Sequence, residues 1–146
     1  MSVNILVNGP ITQSIISSLI GSIGNKIDAG GHSIFIGQVR ADIVKGKRVR
    51  AIEYSAYENM VMKEADEMKN NIASEFNDVK SIDILHSVGI VLAGEISLFV
   101  LISAGHRDHA IQACSKLVEM IKEKLPIWKK EIFEDNTHEW KQENLS

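Results

Sequence analysis

The chain has 146 residues, of which 45% are hydrophobic and 24% are charged, a composition typical of a globular domain. Its net charge of -3 argues against a general nucleic-acid binder. The single cysteine, Cys114, excludes an internal disulfide. The longest mainly apolar run, Ile96 to Ala104, is too short for a membrane helix, which needs about 20 residues. No signal peptide is visible at the N-terminus, so the predicted location is cytoplasmic.

The first half of the chain predicts strands and helices in mixed order. A short strand at Val3–Val7 precedes a helix with isoleucines at helical spacing. Two further strands are predicted at Ser33–Arg40 and Val49–Tyr57, and the polar segment between them, Asp42–Arg48, is expected to be mobile. The next helix is indicated by apolar residues three or four apart, which are Val61, Ala65, Met68, Ile72 and Phe76.

The second half predicts a strand at Ser81–His86, a turn bracketed by Gly89 and Gly94, and a long buried strand at Glu95–Ser103. The clearest helix, Arg107–Leu125, follows and ends at a proline. Its apolar stripe comprises Ala110, Cys114, Leu117, Val118, Ile121 and Leu125. Short extended structure is expected from Ile127 to Trp140. Because the order is not regularly βαβ, the predicted fold is α+β, a single domain over residues 1–146 with a mixed, mainly antiparallel sheet and packed helices.

Common nucleotide, metal and hydrolase motifs are absent: the chain has no GxxxxGK[ST], GxGxxG, CxxC, HExxH or GxSxG. With one cysteine and scattered histidines, no built-in metal is expected. Basic residues concentrate in Arg40–Arg50 and Lys116–Lys130, whereas Glu131–Ser146 is acidic. Two local basic stretches suit anion binding, and the alternative is solvated loops and helix faces.

One candidate cluster lies where the last long strand meets the last long helix, at Ser103–Arg107. The free N–H groups and the dipole of a helix N-terminus favour an anion. Arg107 adds a planar fork for phosphate or carboxylate, and His106 can donate a hydrogen bond or shuttle a proton. The alternative is a helix opening that only meets water.

The second candidate cluster is Lys122 with the segment Pro126–Glu131. Lys122 falls at the margin of the helix stripe, so its stem can be buried while its amine points into a groove. Crowding by Lys124, Lys129 or Arg107 would lower the pKa of Lys122 and free a nucleophilic amine. The alternative is an ordinary solvated lysine.

Five segments match, in order, the motifs of one family. Pro126–Glu131 resembles PxWK(K/R)E, Phe35–Arg40 resembles FxGxVR, and Ile52–Met60 resembles LEYEAYxxMA. His86–Glu95 resembles HRxGxxxxGE, and His106–Ala110 resembles the start of HRxxAF. Together these segments span roughly residues 30 to 140. In these motifs the chain resembles the large subunit of molybdopterin synthase.

The chain departs from the family pattern at a few positions. Ser87 stands where the family has an arginine after its histidine, and Ser55 replaces a glutamate between two tyrosines. Ile111 replaces a phenylalanine, which is expected to be a swap within a core stripe. Asp135–Thr137 stands where a glycine is usual. The matched lysines are kept, whereas Ser87 is expected to weaken substrate or partner binding.

The resemblance implies a sulfurtransferase of molybdenum cofactor biosynthesis that needs no metal and no other cofactor. It would transfer sulfur to cyclic pyranopterin monophosphate, forming the molybdopterin dithiolene. The sulfur would arrive as a thiocarboxylate on the C-terminal Gly-Gly of a small ubiquitin-like subunit, a separate chain because this one closes with Glu143–Ser146. The implied assembly is a heterotetramer around a homodimer of large subunits, and the fold implied is the α/β-hammerhead. No nucleic-acid or membrane partner is implied.

The resemblance also assigns roles to individual residues. Lys122 takes the leading catalytic role, as an acid/base or as the amine that engages the acyl carrier, and Lys129 supports it electrostatically. Arg40, His106 and Arg107 would hold the phosphate or the tail carboxylate. The remaining motif residues are predicted to be core or dimer contacts (Tyr54, Tyr57 and Met60) or structural (His86).

Two other functions remain open. A non-catalytic scaffold could keep the groove for the tail, and Ser87 and Ser55 are its support. A small nucleic-acid-binding domain could use Arg40–Arg50, although the net charge and the lack of an aromatic-studded basic strand argue against it.

Overall fold

The computed structural model describes residues 4–141, so Val3 of the expected first strand and the closing Glu143–Ser146 lie outside the described residues. Strands and helices alternate irregularly along the chain, with a short 3-10 turn at Ile23–Asn25. The elements are β1 Leu6–Asn8, α1 Gln13–Gly21, β2 Gly31–Gln38, β3 Ile43–Val44, β4 Lys47–Ala56, α2 Glu58–Glu75, β5 Val79–Leu92, β6 Ile96–Ala104, α3 Arg107–Lys124, β7 Ile127–Phe133 and β8 His138–Lys141.

The strands form one eight-stranded sheet in the order β2-β6-β5-β4-β7-β8, with β1 beside β5 and β3 beside β4. The β1–β5 pair is parallel, and the other pairs are antiparallel. This arrangement confirms the predicted α+β fold with a mixed, mainly antiparallel sheet. That residues 1–146 form a single domain stays a prediction.

Strand β6 is covered on both faces, which explains its long apolar run. Leu98, Val100 and Ile102 join the larger core with α2 and α3, whereas Phe99 and Leu101 pack with α1 on the opposite face. Successive side chains of a strand point to opposite faces, so a strand between two helical layers must be apolar at nearly every position.

The predicted stripes of α2 and α3 are both buried and face the larger core. The placement of Ile111 in the α3 stripe was wrong, because its side chain is 59% exposed. One residue along a helix turns the side chain by about 100°, and Ile111 directly follows the buried Ala110. Its exchange for phenylalanine is therefore a surface change.

Two boundaries differ from the sequence prediction. The strand expected at Ser81–His86 continues to Leu92, so Gly89 lies within β5, and the turn follows at Gly94. The segment Asp42–Arg48, expected to be mobile, contains a β-hairpin. Its two turn residues, Lys45 and Gly46, both have positive φ, which is the backbone geometry of a tight two-residue hairpin.

Candidate active site

A cavity of about 310 Å³ lies between the sheet and the end of α3. Its walls come from the end of β2 and the loop after it, from β4, β5 and β6, from the last turn of α3, and from β7 and β8. This volume is within the range of small-molecule sites. Three of the five predicted site residues line it, namely Arg40, Lys122 and Lys129.

The chain geometry brings Lys122 and Lys129 together. Lys122 lies on the last turn of α3, Leu125 ends the helix, and β7 runs back along the same cavity. Alternation along β7 places Ile127, Lys129 and Glu131 on the cavity side. The two adjacent lysines of the motif thus face opposite sides of the sheet.

Lys130 and Trp128 lie on the face of β7 that points away from the cavity. The amine of Lys130 pairs with a carboxylate oxygen of Glu53 at 3.0 Å. Trp128 is 38% exposed and packs edge to face on Tyr57, with ring centroids 5.1 Å apart. Tyr57 and Met60 are both exposed, so neither belongs to the core, and a dimer contact stays a prediction for both.

The pKa of Lys129 is lowered, because burial removes water from its ammonium group and because Lys141 and Lys122 repel its charge. Glu131 acts in the opposite direction. The sequence predicted that crowding among lysines would make one amine easier to deprotonate. In the structure, that amine belongs to Lys129 on β7. Lys122 itself is exposed at the mouth of the cavity.

Arg40, a predicted site residue, lines the cavity but is largely exposed. Its side chain is 75% exposed and forms two hydrogen bonds to Asp42, at 2.7 and 3.3 Å. These bonds and the charge of Asp42 raise the pKa of Arg40. An incoming anion would have to share the guanidinium with Asp42, so the net charge that Arg40 contributes is small.

His86, predicted to be structural, is a cavity residue. It is buried, its Nδ1–H donates to the carbonyl oxygen of Ser87 at 2.8 Å, and its ring meets Tyr54 edge to face at 5.2 Å. Burial lowers the pKa of His86 to about 4, and Lys129 contributes in the same direction. The ring is therefore neutral at physiological pH. In the sequence, the only signal that His86 lines a site is its place in the HRxG-like motif.

Ser87 does not line the cavity. Its side chain is fully buried, and its hydroxyl has no hydrogen-bond partner among the described residues. Ser87 is therefore not among the residues that line the cavity, and its expected weakening of substrate or partner binding stays a prediction. Ser55 is exposed and faces Trp128, on the other side of the sheet.

His106 and Arg107 lie at the opposite end of α3. About four helical turns, and therefore about 22 Å, separate Arg107 from Lys122. The prediction that all the basic site residues converge is thus wrong within one chain. Strand β6 and helix α3 run antiparallel, so the start of α3 and its last turn lie at opposite ends of the sheet.

The start of α3 is organised by Asp78. Its carboxylate accepts hydrogen bonds from the backbone N–H of His106 at 3.1 Å, from the ring of His106 at 3.2 Å and from the ring of His109 at 2.6 Å. Burial raises the pKa of Asp78, but these hydrogen bonds outweigh it and the net pKa is lowered. The anion nearest this helix start is therefore the protein's own carboxylate. Within residues 4–141 no cluster of histidine, cysteine and carboxylate side chains could hold a metal ion.

Residues 10–124 match the sequence model of a protein family described as MoaE protein. The chain belongs to the MoaE family. It is 40% identical over 115 residues to the molybdopterin synthase catalytic subunit of Dictyostelium discoideum, which covers 77% of this chain and 72% of that protein. The resemblance inferred from the five motifs is thereby confirmed.

Other MoaE relatives are longer. The molybdopterin synthase catalytic subunit of Drosophila melanogaster is 37% identical over 142 residues, covering 97% of this chain but 37% of that protein. The chain therefore spans little more than a third of the length of such relatives.

Solved structures share the fold over most of the chain. Molybdopterin synthase from Staphylococcus aureus superposes with a TM-score of 0.78 at 28% identity, covering 94% of this chain and 95% of that one. A complex of subunits 1 and 2 of molybdopterin-converting factor from Helicobacter pylori gives 0.80 at 19% identity, covering 95% and 90%. At that identity the likeness concerns the fold alone. No helix among the described residues is long and apolar enough to cross a membrane.

Proposed function

We propose that this chain is the catalytic subunit of a molybdopterin synthase, a sulfurtransferase acting in the cytoplasm. It would move sulfur from the thiocarboxylated C-terminus of a small ubiquitin-like subunit to cyclic pyranopterin monophosphate, forming the molybdopterin dithiolene. Membership of the MoaE family and the names of its relatives support this activity. The observation that carries the proposal is the cavity in which Lys122 and Lys129 meet.

The charge of the cavity suits two anionic reactants. Among residues 4–141, Arg40, Lys122, Lys129 and Lys141 line it together with two carboxylates, Asp42 and Glu131. The substrate carries a phosphate and the carrier ends in a thiocarboxylate, and both are anions that desolvated cations stabilise. The exposed Lys122 keeps its predicted leading role at the mouth, where the carrier tail would enter.

Lys129 supplies a second kind of chemistry. A lysine whose pKa is lowered can release and recover a proton closer to neutral pH than a solvated lysine can. Lys129 would therefore act in proton transfer as well as in the predicted electrostatic support. The neutral His86 beside it offers a ring without charge that accepts or donates hydrogen bonds but does not repel Lys129.

The proposed assembly contains two kinds of subunit. The Helicobacter pylori structure is a complex of two different subunits, and we propose an equivalent small partner for this chain. Two large subunits would form the central homodimer of a heterotetramer. Because His106 and Arg107 lie far from Lys122 within one chain, any role for them in the same reaction requires that a second copy bring them to the cavity.

The activity is tested by mixing the purified chain with a thiocarboxylated small subunit and the cyclic precursor and measuring dithiolene formation. Lys122→Ala should lower the rate by tens to about a hundredfold, because a charge-assisted contact contributes ~1.5–3 kcal/mol. Lys124→Ala is the matched control, since Lys124 is exposed near Lys122 but does not line the cavity. A wild-type chain that binds the small subunit without forming product would point to the scaffold function.

The role of a second copy is tested by complementation. Lys122→Ala and Arg107→Ala chains, each expected to be strongly impaired alone, are unfolded together and refolded. If the site combines residues of two chains, the mixed dimers hold one intact site each, and statistical mixing should restore about a quarter of the wild-type rate. A mixture as slow as its components would exclude a site shared between two chains, and an Arg107→Ala chain as active as the wild type would place Arg107 outside the site.

A further inference from the structure

Strand β8 places another lysine in the cavity, one that no motif identified. Lys141 lies directly opposite Lys129 in the antiparallel β7–β8 pair, and both side chains line the cavity. Side chains opposite each other on neighbouring strands lie on the same face within about 5.5 Å at Cβ, and like charges in that position destabilise a sheet. Sheet stability therefore does not explain this pair.

Three other lysines near β7 and β8 are paired with carboxylates. Lys45 pairs with Glu139 at 3.7 Å, Lys47 with Asp135 at 3.2 Å, and Lys130 with Glu53 at 3.0 Å. Within residues 4–141, by contrast, neither Lys129 nor Lys141 forms an ion pair. The two facing lysines thus repel each other, and Glu131 in the same cavity offsets this repulsion without forming an ion pair with either.

Lys141 acts on the pKa of Lys129. Burial is the largest cause of the lowered pKa of Lys129, and among the charged neighbours that add to it Lys141 acts more strongly than Lys122 does. Several other titratable or charged side chains line the cavity around Lys129. They are Arg40 and Asp42 after β2, Tyr54 on β4, His86 on β5, Lys122 on α3, Glu131 on β7 and Lys141 on β8. Tyr54 and His86 are neutral near pH 7, since burial raises the pKa of Tyr54 and lowers that of His86.

We propose that Lys141 is a positioning residue for Lys129: by facing it across β7 and β8, it favours the uncharged amine that proton transfer in the cavity requires. Its effect on Lys129 does not depend on the proposed function. Its importance for sulfur transfer rests on the proposed function. Lys141 acts through Lys129, so its removal changes the pH at which that amine works more than it changes substrate binding.

The direct test measures the protonation of Lys129 without any substrate. The full chain is trace-labelled with acetic anhydride from pH 6 to pH 11, and the acetylation of Lys129 is followed by mass spectrometry. Lys141→Gln should move the midpoint of the Lys129 curve to higher pH, so that labelling at pH 8 falls several-fold. Lys141→Arg, which keeps the charge, should leave the midpoint in place, and so should the control Lys124→Gln. A midpoint unchanged in Lys141→Gln would overturn the proposal.

The second test is the pH dependence of sulfur transfer. In Lys141→Gln, the rising limb of kcat should shift to higher pH with little change in KM. A raised KM with an unshifted profile would mean that Lys141 only attracts the anionic substrate, which contradicts the positioning role. If the wild-type chain makes no dithiolene while the labelling curve still shifts, the action of Lys141 on Lys129 stands and the proposed function fails.

Discussion

Lys129 is buried among other lysines, and this burial makes the stability of the protein depend on pH. The pKa of Lys129 is lowered in the fold from the ordinary 10.5. Between that lowered pKa and 10.5 the unfolded chain binds more protons than the folded chain does, so the free energy of unfolding rises with pH in this window.

Lys129→Met should therefore stabilise the protein at neutral pH, where the wild type holds a poorly solvated charge. The advantage of the variant should shrink as pH approaches 10.5. Urea unfolding between pH 7 and pH 10 measures it, with the exposed Lys124→Met as control. A variant that is less stable than the wild type at pH 7 would show that the packing of the lysine stem outweighs its charge.

His86 gives a second pH effect, in the acid range. Its pKa is about 4 in the fold against 6.5 ordinarily, so the unfolded chain binds more protons between these values and stability is lost as pH falls from 6.5 to 4. The shift corresponds to roughly 3 kcal/mol.

His86→Gln keeps a donor for the Ser87 carbonyl but cannot titrate, so its free energy of unfolding should lack this loss. Urea unfolding at pH 7, 5.5 and 4 measures the difference, and His138→Gln, at an exposed position on β8, should behave like the wild type. Parallel curves for His86→Gln and the wild type would contradict the buried neutral ring.

At the scale of elements, the start of β2 lies close against the start of α3. A Cβ at Gly31 would lie 2.8 Å from the Cα of Arg107, and a Cβ at Gly30 would overlap the carbonyl oxygen of Gly105. Both contacts are with backbone, so neither side can turn away. The absence of a side chain at both glycines allows the start of α3 to lie against the sheet.

Gly30→Ala should lower the free energy of unfolding by about 1–3 kcal/mol, as expected for overpacking. Gly21→Ala is the matched control: Gly21 ends α1, a Cβ there meets nothing within 4 Å, and a gain of about 0.4–1 kcal/mol is expected. Guanidinium unfolding of both variants measures the two effects. Equal stability of Gly30→Ala and the wild type would mean that the start of α3 moves away at no cost.

The apolar stripes of the helices were predictable because a repeat of 3.6 residues can be recognised within a short stretch of sequence. The stripes of α2 and α3 were both right. The β3–β4 hairpin was missed because its signal is only Lys45–Gly46, and β5 was cut short because Gly89 looked like a turn. A glycine with positive φ inside a strand cannot be told from a turn glycine without its neighbours.

The whole molecule is a sheet between two unequal helical layers. The smaller layer, α1, covers Phe99 and Leu101 of β6, and the larger one consists of α2 and α3. Both layers are needed to bury a strand that is apolar on each face.

Phe99→Ala should cost about 3–5 kcal/mol, because a fully buried aromatic side chain leaves a cavity beneath α1. Ile27→Ala, at a side chain that is 89% exposed, should change stability by less than about 0.5 kcal/mol. Denaturant unfolding measures both. A loss for Phe99→Ala below about 1 kcal/mol would mean that α1 is not firmly packed on the sheet.

The sequence by itself determined the types of most elements, the two buried helical stripes and, through five ordered motifs, the family. It also identified the lysine pair that meets in the cavity. Only the tertiary structure decided which charges share that cavity: Lys141 enters it, Asp42 holds Arg40, and His106 and Arg107 lie at the far end of α3. Local periodicity fixes which face of an element is buried. Strand order, here β4-β7-β8, decides which distant residues those faces bring together, and that order is set by the packing of the whole chain.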